Sequence, residues 1–123
     1  MAIPEAVRAD LTRRLDVHAA THYMETCRGV VVRFRGDHAY VDAFPVHTWF
    51  LPGTTEAEKE RIRNEPIQLC RLTYLGRKDH WAFFFYKAST ERYERNVLMD
   101  GSWEGTPEDC FDCAAFAYLQ GRW

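Results

Sequence analysis

The 123-residue chain has no long apolar run; its strongest, from Trp81 to Tyr86, is far too short to span a bilayer. Its first fifteen residues, MAIPEAVRADLTRRL, carry acids early and no apolar stretch, unlike a secretory signal, so we expect a cytoplasmic protein with no membrane partner. Charge of one sign is also missing. Sixteen Lys and Arg against 18 Asp and Glu give a net charge of −2, so binding to nucleic acid or an anionic membrane would need a local patch. There is no internal repeat and no low-complexity tract. Gly105-Thr106-Pro107 lacks the glycine-rich surroundings and lysine of a phosphate loop, and Arg35-Gly36-Asp37 is sufficiently explained as a turn. Ser89 and Ser102 have no adjacent histidine, so no nucleophile is nominated. The four cysteines, without an export signal, read as reduced thiols.

What is present is a generous set of rings, 15% of the chain, within a length that supports one core. Residues 1–123 therefore read as a single α+β domain. Residues 4–22 predict an amphipathic helix, with Val7, Leu11, Leu15, His18 and His22 recurring at spacings of three and four. Residues 29–44 predict a hairpin turning at Gly36-Asp37, which sets Arg35 opposite His38, Arg33 opposite Tyr40 and Val31 opposite Asp42. PVHTWFLPGTT reads as a loop with its own aromatic cluster, and TEAEKERIRN as a polar surface helix begun by Thr55 with Glu58 in capping-box position. A second hairpin, 67–75 and 80–87, aligns Tyr74 with Trp81, Leu72 with Phe83 and Cys70 with Phe85. A fifth strand follows near Tyr93–Leu98, then a helix from Pro107 to about Leu119. The expected fold is a largely antiparallel sheet of about five strands, with the N- and C-terminal helices on one face and a short polar helix between the hairpins.

Cys110-x-x-Cys113 is the most chemical-looking motif. Thr106 caps its helix, which places Cys110 a full turn inside, among Glu108, Asp109 and Asp112. Acidic neighbours favour the protonated thiol, so packing is the leading reading, ahead of metal ligation and redox chemistry. Cys110, Cys113, Ala114, Ala117 and Tyr118 share one helical face, with Phe111 at its edge. His18 and His22, four residues apart, present two imidazoles on one helix face, and Cys27 follows as a third candidate ligand. Zinc or another divalent metal is thus the one cofactor worth naming, and none is required.

The hairpins leave one face apolar and the other mixed. Arg33, Arg35, His38, Tyr40, Asp42, Arg71, Thr73, His80 and Tyr86 are expected to share the mixed face, which resembles the lining of a small-molecule or peptide site. AYVDAF at 39–44 and HWAFFFY at 80–86 resemble the two aromatic strand motifs of the RNA-recognition-motif family, which implies base stacking on a sheet. The chain departs from that family in the order of its last elements, and Trp81, Phe83 and Phe85 fall on the core side. Nucleic acid is therefore the least favoured partner. The leading expectation is a non-catalytic module that binds a small molecule or protein partner through the mixed face. A small metal-dependent enzyme using His18 and His22 is the alternative. Phe116, Leu119 and Trp123 offer a further apolar patch for a homodimer.

Overall fold

The computed structural model describes residues 2–46 and 50–119. Its elements run α1 (Glu5–His22), β1 (Cys27–Arg35), β2 (His38–Pro45), α2 (Glu56–Arg63), β3 (Ile67–Arg77), β4 (His80–Lys87), β5 (Arg92–Arg95), β6 (Glu104–Gly105) and α3 (Pro107–Tyr118). The sheet is an antiparallel meander, β1-β2-β3-β4-β5, with the two-residue β6 pairing with β4. The domain is α+β, as the sequence predicts.

Local chemistry sets the registers. Gly36, at φ 61°, occupies the first central position of a two-residue turn, the place where a type II′ hairpin needs glycine. Arg35 consequently pairs with His38, Arg33 with Tyr40 and Val31 with Asp42. Tyr74 pairs with Trp81, Leu72 with Phe83 and Cys70 with Phe85. Between β2 and β3 the register slips: Val41 faces Cys70, but Asp42 faces Gln68. Leu69 is the extra residue of that bulge, so Leu69 and Cys70 are both fully buried although adjacent in sequence. The fifth strand is shorter and earlier than expected. Glu91 adopts φ 53° just before it, and the chain leaves β4 after Arg95, so Leu98 is buried from a loop.

Leu11, Leu15 and Ala19 of α1 and Cys110, Phe111, Ala114 and Ala115 of α3 cover one face, closing over Val41, Leu72, Trp81 and Phe83. The buried side of α3 is turned from the expected one. Phe111 is fully buried, Ala117 is exposed and Cys113 lies at the margin, because the large ring fills the space between the helices and meets His18 and Tyr23 edge-on. Tyr118 stacks on Phe85 with centroids 5.3 Å apart, and its hydroxyl donates to the Tyr86 carbonyl at 2.6 Å. Leu119 is 3% exposed, which removes it from the surface patch expected with Phe116; Trp123 and Trp49 lie outside the described residues. α2 buries no residue and carries the expected capping box of Thr55 and Glu58.

The helices are joined by polar contacts that step in the same direction along both. Arg14 donates to both Glu108 carboxylate oxygens at 2.8 and 2.7 Å and also reaches Asp79 at 2.6 Å. One turn on, His18 Nε2 lies 2.6 Å from Asp112 Oδ1, which also accepts from the Tyr23 hydroxyl at 2.7 Å. Hydrogen bonds from Arg14 hold the Glu108 carboxyl below the ordinary glutamate range. That contribution is fully present above the unfolded pKa of about 4.3 and disappears as pH falls through the depressed folded value. Glu108→Gln should therefore lose about 1–2 kcal/mol at pH 7, a part-exposed charge-assisted pair being worth less than a buried one. Urea unfolding at pH 7 and at pH 3 checks this: the gap between the two proteins should narrow in acid.

Candidate functional site

Among the described residues, no helix packs on the second sheet face. Alternation along the strands brings Arg33 and Arg35 of β1, His38, Tyr40 and Asp42 of β2, Gln68, Arg71 and Thr73 of β3, Phe84 and Tyr86 of β4, and Tyr93 of β5 onto it. Its centre is Tyr93. Its ring lies 5.3 Å from Tyr40 and 5.1 Å from Tyr86, and its hydroxyl accepts from Gln68 Nε2 at 3.1 Å. In a flat sheet β2 and β5 would stand about 14 Å apart, so the strands curl toward this face for the rings to meet.

Asp42 lies at the floor of that curl. It is 5% exposed and is the one buried charged side chain among the described residues. Arg33 donates to its Oδ2 from Nε at 3.2 Å, with Nη2 3.1 Å from the same oxygen as an ion pair, while its guanidinium lies over the Tyr40 ring at 5.5 Å. Asp42 Oδ1 is buried with no hydrogen-bond partner among the described residues. Arg71, diagonal to it on β3, places its guanidinium 4.3 Å above Phe84 and 5.9 Å from Tyr93, and its Nε is likewise buried without a partner. Burial raises the Asp42 pKa against the opposing pull of Arg33, and burial raises that of Tyr93 as well. A buried acceptor and a buried donor, each lacking a partner, thus stand among three rings.

Sequence reasoning brought Arg33, Tyr40, Asp42, Arg71 and Tyr86 to this face, and they meet there. Arg35 and His38 stand at its hairpin end, where His38 Nδ1 lies 3.0 Å from the Thr73 hydroxyl. His80 does not join the cluster. Its Nε2 lies 2.8 Å from Glu104 at the β6 end, beside a groove of about 540 Å3 lined by Trp103 and Arg95. Tyr93, Phe84 and Gln68 were missing from the expected site. Phe84 followed from alternation alone; Gln68 required the bulge, and Tyr93 required the register of a four-residue strand.

Two of the three expected metal ligands have partners within the fold. His18 is engaged by Asp112, and its ring is 4.8 Å from that of His22. The buried Cys27 thiol points to the Gly29 carbonyl at 3.2 Å, and burial raises its pKa. Among the described residues, no three His, Cys, Asp or Glu side chains gather as a metal-binding group. The aromatic positions that resemble an RNA-binding motif divide between the faces: Trp81 and Phe83 are fully buried under the helices. No helix among the described residues is long and apolar enough to cross a membrane.

Cys70 and Cys110 are fully buried, and burial raises the thiol pKa of each; Cys113, at the helix margin, is raised by burial and by Asp112. None has the electropositive surroundings of a reactive thiol. In the native protein an aromatic disulfide reagent should modify Cys113 first and slowly, and all four thiols should react at once only after unfolding. Fast native labelling of Cys110, read by mass spectrometry, would contradict the packing assignment.

No protein-family model matches this chain, and neither a curated protein nor a solved structure matches it significantly.

Proposed function

We propose that the chain is a non-catalytic binding module that takes a planar polar group, from a small molecule or a protein partner, on its open sheet face. The observation that carries this reading is Asp42: a buried carboxylate on the face that no helix covers among the described residues, and whose Oδ1 no donor among them reaches. A buried polar atom left unpaired costs about 1–3 kcal/mol, so a stability role alone gives no reason to keep it. Asp42 Oδ1 requires an N–H or O–H donor, and Arg71 Nε–H requires an acceptor. Tyr40, Tyr93 and Phe84 supply flat apolar walls beside both. A group that donates and accepts from one plane, such as a carboxamide, a peptide bond or the edge of a heterocyclic base, satisfies all three demands. A bare cation would meet Arg33 and Arg71, and a bare anion would meet Asp42. No resident cofactor forms part of this reading.

A thermal-shift screen with planar amides, heterocyclic bases, short peptides, divalent metals and oligonucleotides tests it. A ligand at a hundredfold over its Kd adds about 2.7 kcal/mol, which moves a domain of this size by several degrees. The decisive variant is Asp42→Asn. Because the folded pKa of Asp42 is raised, its stabilising contribution is complete below about pH 3.9 and is lost as pH rises through the folded value. At pH 7 the amide should fold at least as stably as the acid, Arg33 being well solvated. Binding, however, should weaken tenfold or more, and Arg71→Gln should act likewise. A ligand whose shift survives both substitutions would place binding elsewhere and overturn the proposal, as would a flat screen together with no chemical-shift change at Tyr93 for any compound.

A further inference from the structure

We infer that β1 and the flank of α1 beside it form a two-fold interface with a second copy of this chain. The inference is independent of the ligand on the open face. β1 is the edge of the sheet and pairs only with β2 among the described residues. At nine residues it is long for an unguarded edge, and it carries Val30-Val31-Val32 at its middle, with Val31 36% exposed. The two-residue hairpin closes on a hydrogen-bonded pair, Arg35 with His38, so Arg35, Arg33 and Val31 direct their backbone groups at β2. Val30, Val32 and Phe34 then direct theirs outward.

An antiparallel pairing of β1 with its own copy, centred on Val31, matches those free groups. Val30 meets the second copy's Val32, and Val32 meets its Val30, each pair exchanging outward N–H and C=O groups. Arg33 falls opposite Gly29, so the cations of the strand do not face one another. A register centred on Arg33 would set like charges together and is disfavoured.

The helix above carries a second, independent match. Arg8 lies over Phe34 at 5.4 Å, whereas Asp16 and Ala20 border Val30, so the middle of β1 is level with Thr12–Asp16. The flank of α1 on that side holds Ala9, Arg13, Asp16, Val17 and Ala20, all exposed. Under the same two-fold operation Arg13 faces Asp16 of the second copy, Asp16 faces its Arg13, and Ala9 faces Ala20. Charge is thereby complementary at the axis, and small residues stand where two helices must approach. Among the described residues Arg13 pairs with Asp10 and its side chain is 65% exposed, and Asp16 has no ion-pair partner. A sheet continuous through two copies would result, with both open faces on the same side.

Sedimentation equilibrium and light scattering over a concentration series test this directly. The chain should associate to twice its 14.5 kDa mass. Asp16→Arg, which sets like charges across the axis, should raise the dimer dissociation constant tenfold or more, and Arg13→Asp combined with Asp16→Arg should restore it. Val32→Pro removes an outward N–H while leaving the bonds to β2, and should abolish association. Circular dichroism monitors folding, and the charge-reversal pair decides should Val32→Pro not fold. A monomer at the highest soluble concentration, or a dimer indifferent to Asp16→Arg, would overturn the inference.

Discussion

Arg14 and His18 stand one turn apart on α1, and Glu108 and Asp112 stand one turn apart on α3. The two contacts between them hold the helices side by side on a single face of the sheet, with Phe111 wedged beneath. That placement is a constraint on the whole domain. Two helices of 18 and 12 residues cover one face of a five-strand sheet, and the third helix has too little apolar surface to cover the other. The acids at the start of α3 thus serve twice, complementing the helix N-terminus and docking it against α1. Burial, and after it the charges of Asp109 and Glu108, disfavours the thiolate of Cys110, in keeping with a packing role for that side chain.

Among the described residues, the open face is consequently left without a covering layer. It curls, so that Tyr40, Tyr86 and Tyr93 shield one another and cations lie flat on rings. Such a surface stabilises itself through cross-strand contacts without needing charge at its floor. Valine at position 42 would fit a strand and leave no orphaned oxygen. The carboxylate instead keeps Arg33 in place and, on the proposed function, would leave one oxygen for another molecule, at some expense in stability. Sites that bind commonly carry such a local penalty, because the group that recognises a ligand is under-satisfied in its absence.

Most of this architecture was legible in the sequence, for identifiable reasons. Gly36-Asp37 fixes one register and the alternation from Ile67 to Lys87 fixes another, so the face that holds Arg33, Tyr40, Asp42 and Arg71 follows from turn chemistry and period alone. Three features were hidden because each depends on tertiary contact. The Leu69–Cys70 bulge leaves no mark in composition, yet it decides that Gln68 faces outward. β5 has four residues and no turn that pins it, so Tyr93, the central ring of the face, could not be assigned a side. Arg14 looks like any solvated arginine of a helix until α3, 94 residues away, supplies its partner.

The edge strand and the open face answer the same physical problem in different ways. A meander leaves two edges, and β5 is blunted by its brevity and by the charges of Arg92, Glu94 and Arg95. β1 is neither short nor interrupted through its middle; its one irregularity, at Arg28, lies near its start. Arginine at positions 33 and 35 guards the solvent side of that strand but leaves its hydrogen-bonding edge unprotected. An edge left free in this way invites indiscriminate pairing unless one partner is preferred. In the proposed dimer, the Arg13 and Asp16 flank, together with a valine centre that sets no like charges opposite, would make a copy of the same chain that preferred partner. Pairing there would remove the edge while leaving Tyr86 on β4 and Tyr93 on β5 clear of the junction.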